Sequence, residues 1–169
     1  MGHPDKLCDL IADHILDACL AKDMESRVAC EVLATKGKIV VAGEITCSEK
    51  IDIPKIVRRA LRKVGYDPRA YKVAVFMQKQ SPDIASGVNR SLEVRRGHVD
   101  PYNYLGAGDQ GTVYGYATNE TKEKLPLPLV LAHRIVRRLD ECRKGKLIKG
   151  ILPDGKEQVT VAYEDGKPA

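Results

Sequence analysis

Apolar residues recur along this chain with two different periods, and the switching between them predicts its elements. Over residues 6–22, Leu7, Leu10, Ile11, Ile15, Ala18 and Cys19 return at three- and four-residue spacing, which lays them on one helix face. Pro4 suits the first turn of that helix, where a missing N–H costs nothing. Residues 27–35 and 38–46 are rich in Val and Ile and flank Lys36-Gly37, as two strands of a hairpin do. Ile53, Ile56, Val57, Ala60, Leu61 and Val64 mark a second helix, with Gly65 as its C-terminal stop. Residues 71–77 read as a third strand.

The pattern then breaks. Residues 81–111 carry no sustained period, and an irregular stretch of that length is usually functional or mobile. Residues 112–118 read as a strand and 128–143 as a third helix, with Leu131, Ala132, Ile135, Val136 and Leu139 as its stripe. A last strand is expected at 158–163. The order is helix, two strands, helix, strand, long loop, strand, helix, strand. That is an α+β layer arrangement and not a βαβ alternation. The second unit has too few strands to be stable by itself, which leads us to expect a truncated chain.

Composition narrows the picture. With 43% apolar residues, no Trp and one Phe among 169 residues, the core must be aliphatic. The net charge of +5 suits a small polyanionic ligand and does not demand nucleic acid. Arg58, Arg59, Arg62, Lys63, Arg134, Arg137, Arg138 and Arg143 fall opposite the apolar stripes and read as solvated helix faces. Five cysteines, an odd number without a CxxC, indicate a reduced cytoplasmic chain and no zinc site. No signal peptide is visible, and no apolar run approaches the roughly 20 residues of a membrane span.

Several segments carry candidate chemistry. Gly2-His3-Pro4-Asp5-Lys6 opens the first helix, where free N–H groups attract phosphate. His3 and Lys6 add donors and Asp5 a carboxylate for a divalent metal; ordinary helix-start chemistry explains all but His3, which is not a capping type. Glu31 and Glu44 sit inside apolar strands. Either they converge on a site through hairpin pairing, or they occupy the polar face of a half-buried sheet. Lys79-Gln80-Ser81-Pro82-Asp83 ends a strand and equally makes an ordinary turn. Gly106-Ala107-Gly108-Asp109-Gln110-Gly111 matches GxGxxG but lacks the strand before it, the helix after it and the distal acid of a dinucleotide site. Its glycines still let backbone approach a ligand closely. Leu152-Pro153-Asp154-Gly155-Lys156 is a turn.

Together these segments resemble the S-adenosylmethionine synthetase family. The resemblance is carried by Gly2–Lys6, the Val-Ala-Cys-Glu strand, Gly43-Glu44-Ile45-Thr46, Lys79–Ile84, Gly106–Gly111, Gly115–Thr121 and Pro153–Lys156 with Gln158-Val159-Thr160, all in family order. It implies repeated α+β domains: an N-terminal domain at 1–86, a flexible lid loop at 87–105 and a partial central domain at 106–169, with the C-terminal half absent. It implies a methionine adenosyltransferase, forming S-adenosylmethionine from ATP and L-methionine with release of phosphate and pyrophosphate. His3, Asp154 and Lys156 would bind ATP; Glu44, Gln80 and Asp109 would bind methionine; Asp5 would bind Mg²⁺ and Glu31 K⁺. His3, Lys156 and Asp109 would be catalytic. Partners would be further copies, a dimer with shared active sites and a dimer of dimers, in the cytoplasm. The fragment by itself is expected to have little activity. The alternative is a non-catalytic chain that assembles with or modulates a full-length synthetase.

Overall fold

The computed structural model describes residues 2–98 and 100–168. Met1, Val99 and Ala169, which fall within the expected N-terminal domain, lid and central domain, lie outside the described residues. Helix α1 runs Pro4–Leu20 and buries every fourth residue, Leu7, Ile11, Ile15 and Cys19, with Leu10 and Ala18 half-buried at the edge of the stripe. His3 does cap this helix, contrary to expectation: its Nδ1 accepts from Asp5 N at 3.2 Å. A ring nitrogen therefore substitutes for the hydroxyl or carboxylate usual at that position.

Strands β1 (Arg27–Thr35) and β2 (Lys38–Thr46) form an antiparallel hairpin, with Gly37 at φ 71° in its turn. Helix α2 (Ile53–Val64) starts on Asp52, whose carboxylate accepts from Lys55 N at 3.1 Å, and stops at Gly65 with φ 105°. Strand β3 (Lys72–Gln78) then pairs parallel to β2, so the sheet order is β1-β2-β3. Both helices pack on one face of this sheet. Ile39 and Val41 point inward and meet Val57, Ala60, Leu61 and Val64 of α2 in a fully buried aliphatic core.

The other face of the sheet is uncovered. Its cross-strand rows are Leu33–Val40–Ala74, Glu31–Ala42–Phe76 and Ala29–Glu44–Gln78. Leu33 and Phe76 are each 64% exposed there. Glu31 and Glu44 therefore share the open face in adjacent rows.

Residues 81–111 hold more regular structure than expected. Ser81 and Ser91 cap two short helices, α3 (Pro82–Val88) and α4 (Leu92–Arg95), and a 3-10 turn follows at Pro101–Asn103. The segment closes on itself: Ser91 N donates to Tyr104 O at 3.0 Å and Gly106 N to Val88 O at 2.8 Å. The strand expected at 112–118 is not formed. Val113, Tyr114 and Tyr116 are 97%, 90% and 74% exposed, and among the described residues nothing supplies a ladder for this segment. The strand expected at 158–163 shrinks to β4 (Tyr163–Glu164), paired with β5 (Lys167–Pro168). Helix α5 (Leu127–Lys144) forms close to its expected bounds, yet Val130 is its only buried residue and Ile135 is 44% exposed. Alternation supplies the propensity for a strand, and pairing partners decide whether one forms.

Candidate active site

The start of α1 meets the turn at 153–156. Gly2 is buried; its N donates to Pro153 O at 3.0 Å. A Cβ on Gly2 would fall 2.5 Å from Pro153 Cβ, so only glycine permits the approach. Behind it, the Tyr66 hydroxyl donates to Gly2 O at 2.7 Å. His3 (half-buried), with Asp5, Asp154 and Lys156 (all exposed), thus gathers around a helix N-terminus. The positive end of the α1 dipole, an imidazole and a nearby ammonium are the kinds of groups that suit a polyanion.

Arg143 ties α5 to the same place. Its Nη2 donates to Val64 O at 3.0 Å and to Asp140 Oδ1 at 2.8 Å. Arg143 is thus largely buried, not on the solvated face that the pattern assigned to it. Burial works to raise the Asp140 carboxyl, but Lys144 and Arg143 together outweigh it and hold the group below its ordinary value. Sequence reasoning missed both Arg143 and Tyr66. The one signal for Tyr66 was its place just after the Gly65 stop, where the chain leaves a core helix.

Glu44, Gln80 and Asp109 lie elsewhere. Glu44 occupies the sheet row with Ala29 and Gln78, and Gln80 lies two residues past Gln78, off the same end. The 106–111 turn is tied to this end as well: Gly106 bonds to Val88, and the adjoining Asn89 accepts from Arg27 Nε at 3.2 Å, Arg27 being paired with Thr46. Asp109 is exposed, and its Oδ1 accepts from Gln110 N at 2.7 Å.

The two groups stand at opposite ends of the sheet. Gly2, Pro4, Ala34, Thr35 and Tyr66 line one hollow, which puts the helix start beside the β1–β2 turn. From Lys38 at that turn to Glu44 is about 20 Å at the usual strand rise. Along α1 the separation is similar: its 17 residues span about 25 Å, and Cys47, just past β2, contacts Cys19 O at the far end. The structure thus brings together His3, Asp5, Asp154 and Lys156, and separately Glu44, Gln80 and Asp109, but does not join the two sets within one chain. A hollow of about 780 Å³ between α1 and α5 is lined by none of these residues.

Metal chemistry fits unevenly. Among the described residues no three His, Cys, Asp or Glu side chains cluster as metal ligands. The single exposed Asp5 carboxylate beside a polyanion site suits Mg²⁺, which takes one or two carboxylates and shares the rest of its shell with phosphate and water. Glu31 stands in a row with Ala42 and Phe76 on the open face, and among the described residues it joins no cluster of three His, Cys, Asp or Glu side chains. Three of the thiols are held in their protonated form. Burial, followed by neighbouring Cys47, pushes the Cys19 thiol up to about 11, and burial also raises Cys8 and Cys30.

A three-stranded sheet backed by two helices, with His3 and Asp154 toward one end and Glu44 and Gln80 toward the other, defines an α+β protein. Residues 1–85 match the model of the S-adenosylmethionine synthetase N-terminal domain, and residues 104–169 match that of its central domain. The chain belongs to the S-adenosylmethionine synthetase family. It is similar to the S-adenosylmethionine synthase of Clostridium botulinum (strain Alaska E43 / Type E3), being 49% identical over 174 residues that cover 99% of this chain and 44% of that protein. The chain thus spans less than half the length of this curated relative. No helix among the described residues is long and apolar enough to cross a membrane.

Proposed function

We propose that this chain contributes both poles of a methionine adenosyltransferase site, each completed by the opposite pole of a second copy. The supporting observation is the separation of His3, Asp5, Asp154 and Lys156 from Glu44, Gln80 and Asp109 by the length of the sheet. Two copies facing each other across a twofold axis bring unlike poles together twice. The uncovered sheet face, with Leu33 and Phe76 exposed on its two outer strands, is a suitable contact surface.

The reaction needs alignment more than activation. The neutral sulfur of methionine attacks C5′ of ATP, the C5′–O bond breaks, and triphosphate leaves as a sulfonium forms. Glu44, Gln80 and Asp109 hold methionine, with Asp109 on its amino group. Asp154 holds the nucleotide. His3, Lys156 and the positive end of the α1 dipole meet the negative charge growing on the departing triphosphate. Asp5 would hold Mg²⁺, which would supply further positive charge at this pole. The pole keeps hold of the triphosphate for its cleavage to pyrophosphate and phosphate.

Subunit mixing tests this reading in the protein expressed from its complete reading frame. His3→Asn and Glu44→Gln variants should each lose S-adenosylmethionine formation from ATP and methionine. Mixed after reversible dissociation, they should recover about a quarter of wild-type activity, since half the dimers are mixed and half of the sites in those are intact. No recovery, with mixed dimers demonstrated, would place each complete site in one chain and end the proposal.

A further inference from the structure

The end of α2 is the junction on which the polyanion pole is assembled. Tyr66 N bonds to Leu61 O at 2.9 Å and Gly65 N to the same carbonyl at 3.1 Å, which fixes the Tyr66 backbone to a helix whose Leu61 and Val64 are fully buried. The Tyr66 ring packs against Tyr71 with centroids 5.9 Å apart. From that anchored position its hydroxyl reaches the buried Gly2, whose N in turn holds Pro153. The next residue on one side is His3, and on the other Asp154.

We propose that Tyr66 is a positioning residue for the adenosyl transfer: by fixing the Gly2 carbonyl it sets His3 in register with Asp154 at the leaving triphosphate. This inference rests on the function proposed above. Without the hydroxyl, the Gly2 carbonyl loses its tie to the end of α2, and Gly2 keeps only the backbone bond from its N to Pro153 O. Burial raises the Tyr66 phenol, with Tyr71 and the nearby Asp154 adding to the effect, so the group remains a donor throughout the neutral range. Phenylalanine at this position keeps the ring and its packing and deletes a single donor.

The test uses Tyr66→Phe in the protein from its complete reading frame. The expected result is a fall in kcat of about tenfold or more, as displacing a reacting group by a fraction of an ångström produces. KM for methionine should stay within about twofold, because that substrate is held by the opposite pole. Gly2→Ala, which drives a Cβ into Pro153, should reproduce the same split. Tyr71→Phe, which removes a hydroxyl from the adjoining ring, should leave kcat unchanged. Amide exchange at Asp5 and Leu7, whose hydrogens are held by His3, should quicken about tenfold in Tyr66→Phe without loss of core protection. An unchanged kcat would overturn the proposal, as would a parallel fall in kcat, methionine affinity and core protection, which means general loosening. If the wild type formed no S-adenosylmethionine, the proposed function would fail; unaltered exchange in Tyr66→Phe would then overturn the clamp separately.

Discussion

Replacing Arg143 by methionine should loosen the second unit from the first by about 2 kcal/mol. The change keeps most of the side-chain volume and removes the guanidinium. Arg143 and Asp140 are only 15% and 17% exposed, and the guanidinium also satisfies the Val64 carbonyl at 3.0 Å. Breaking a fully buried pair costs about 3–5 kcal/mol and losing a hydrogen bond to a charged group about 1.5–3. Here Asp140 retains Lys144 at 2.6 Å and some water, which places the cost near the lower figure, about 2 kcal/mol. For a chain of this size that is a fall in Tm of roughly 4–8 °C. Urea unfolding followed at 222 nm reads the loss, and amide exchange along α5 locates it. Arg143→Lys should recover only part, since an ammonium cannot bond Val64 and Asp140 as a fork. The effect must also depend on pH in a definite direction. The Asp140 carboxyl is held below its unfolded value of 3.8, so its contribution is fully present above that value and is lost as pH falls through the folded one. The gap between wild type and Arg143→Met should therefore narrow at pH 3. A difference under about 0.5 kcal/mol at pH 7, with α5 exchange unchanged, would refute the reasoning.

Two further outcomes follow from burial. Leu61 is fully buried between α2 and the sheet, so Leu61→Ala should cost about 2–5 kcal/mol by thermal or urea unfolding, and a loss under about 1 would contradict the assigned core. Phe76 is 64% exposed in the row that holds Glu31, so Phe76→Glu should leave the folded chain's stability nearly unchanged while weakening self-association at least about tenfold in sedimentation equilibrium. Unaltered association would remove the open sheet face as the contact surface.

Local pattern was sufficient for the N-terminal half. The four-residue recurrence of Leu7, Ile11, Ile15 and Cys19 and the stop at Gly65 are decided within a few residues of backbone; α2 ends at that glycine, while α1, expected over 6–22, runs Pro4–Leu20. The hairpin around Gly37 is likewise a local decision. The strand expected at 112–118 failed because a strand is a relation between segments: Thr112, Val113, Tyr114 and Tyr116 are strand-favouring types, and among the described residues nothing pairs with them. His3 and Arg143 were misjudged for a related reason. Residue type suggested no cap and a solvated cation, whereas placement gave His3 the Asp5 amide and gave Arg143 the end of α2.

The motifs by themselves supplied the candidate groups: an imidazole and a carboxylate at the start of α1, an acid and an ammonium in the 153–156 turn, and acids and an amide at Glu44, Asp109 and Gln80. What the motifs could not contain is that these groups divide between two ends of one sheet. Sequence records neighbours along the chain, while the length of a strand, the side of the sheet that the helices cover and the bond from Gly2 to Pro153 are set only when distant segments pack. That division of the polar groups is a property of the packed chain alone.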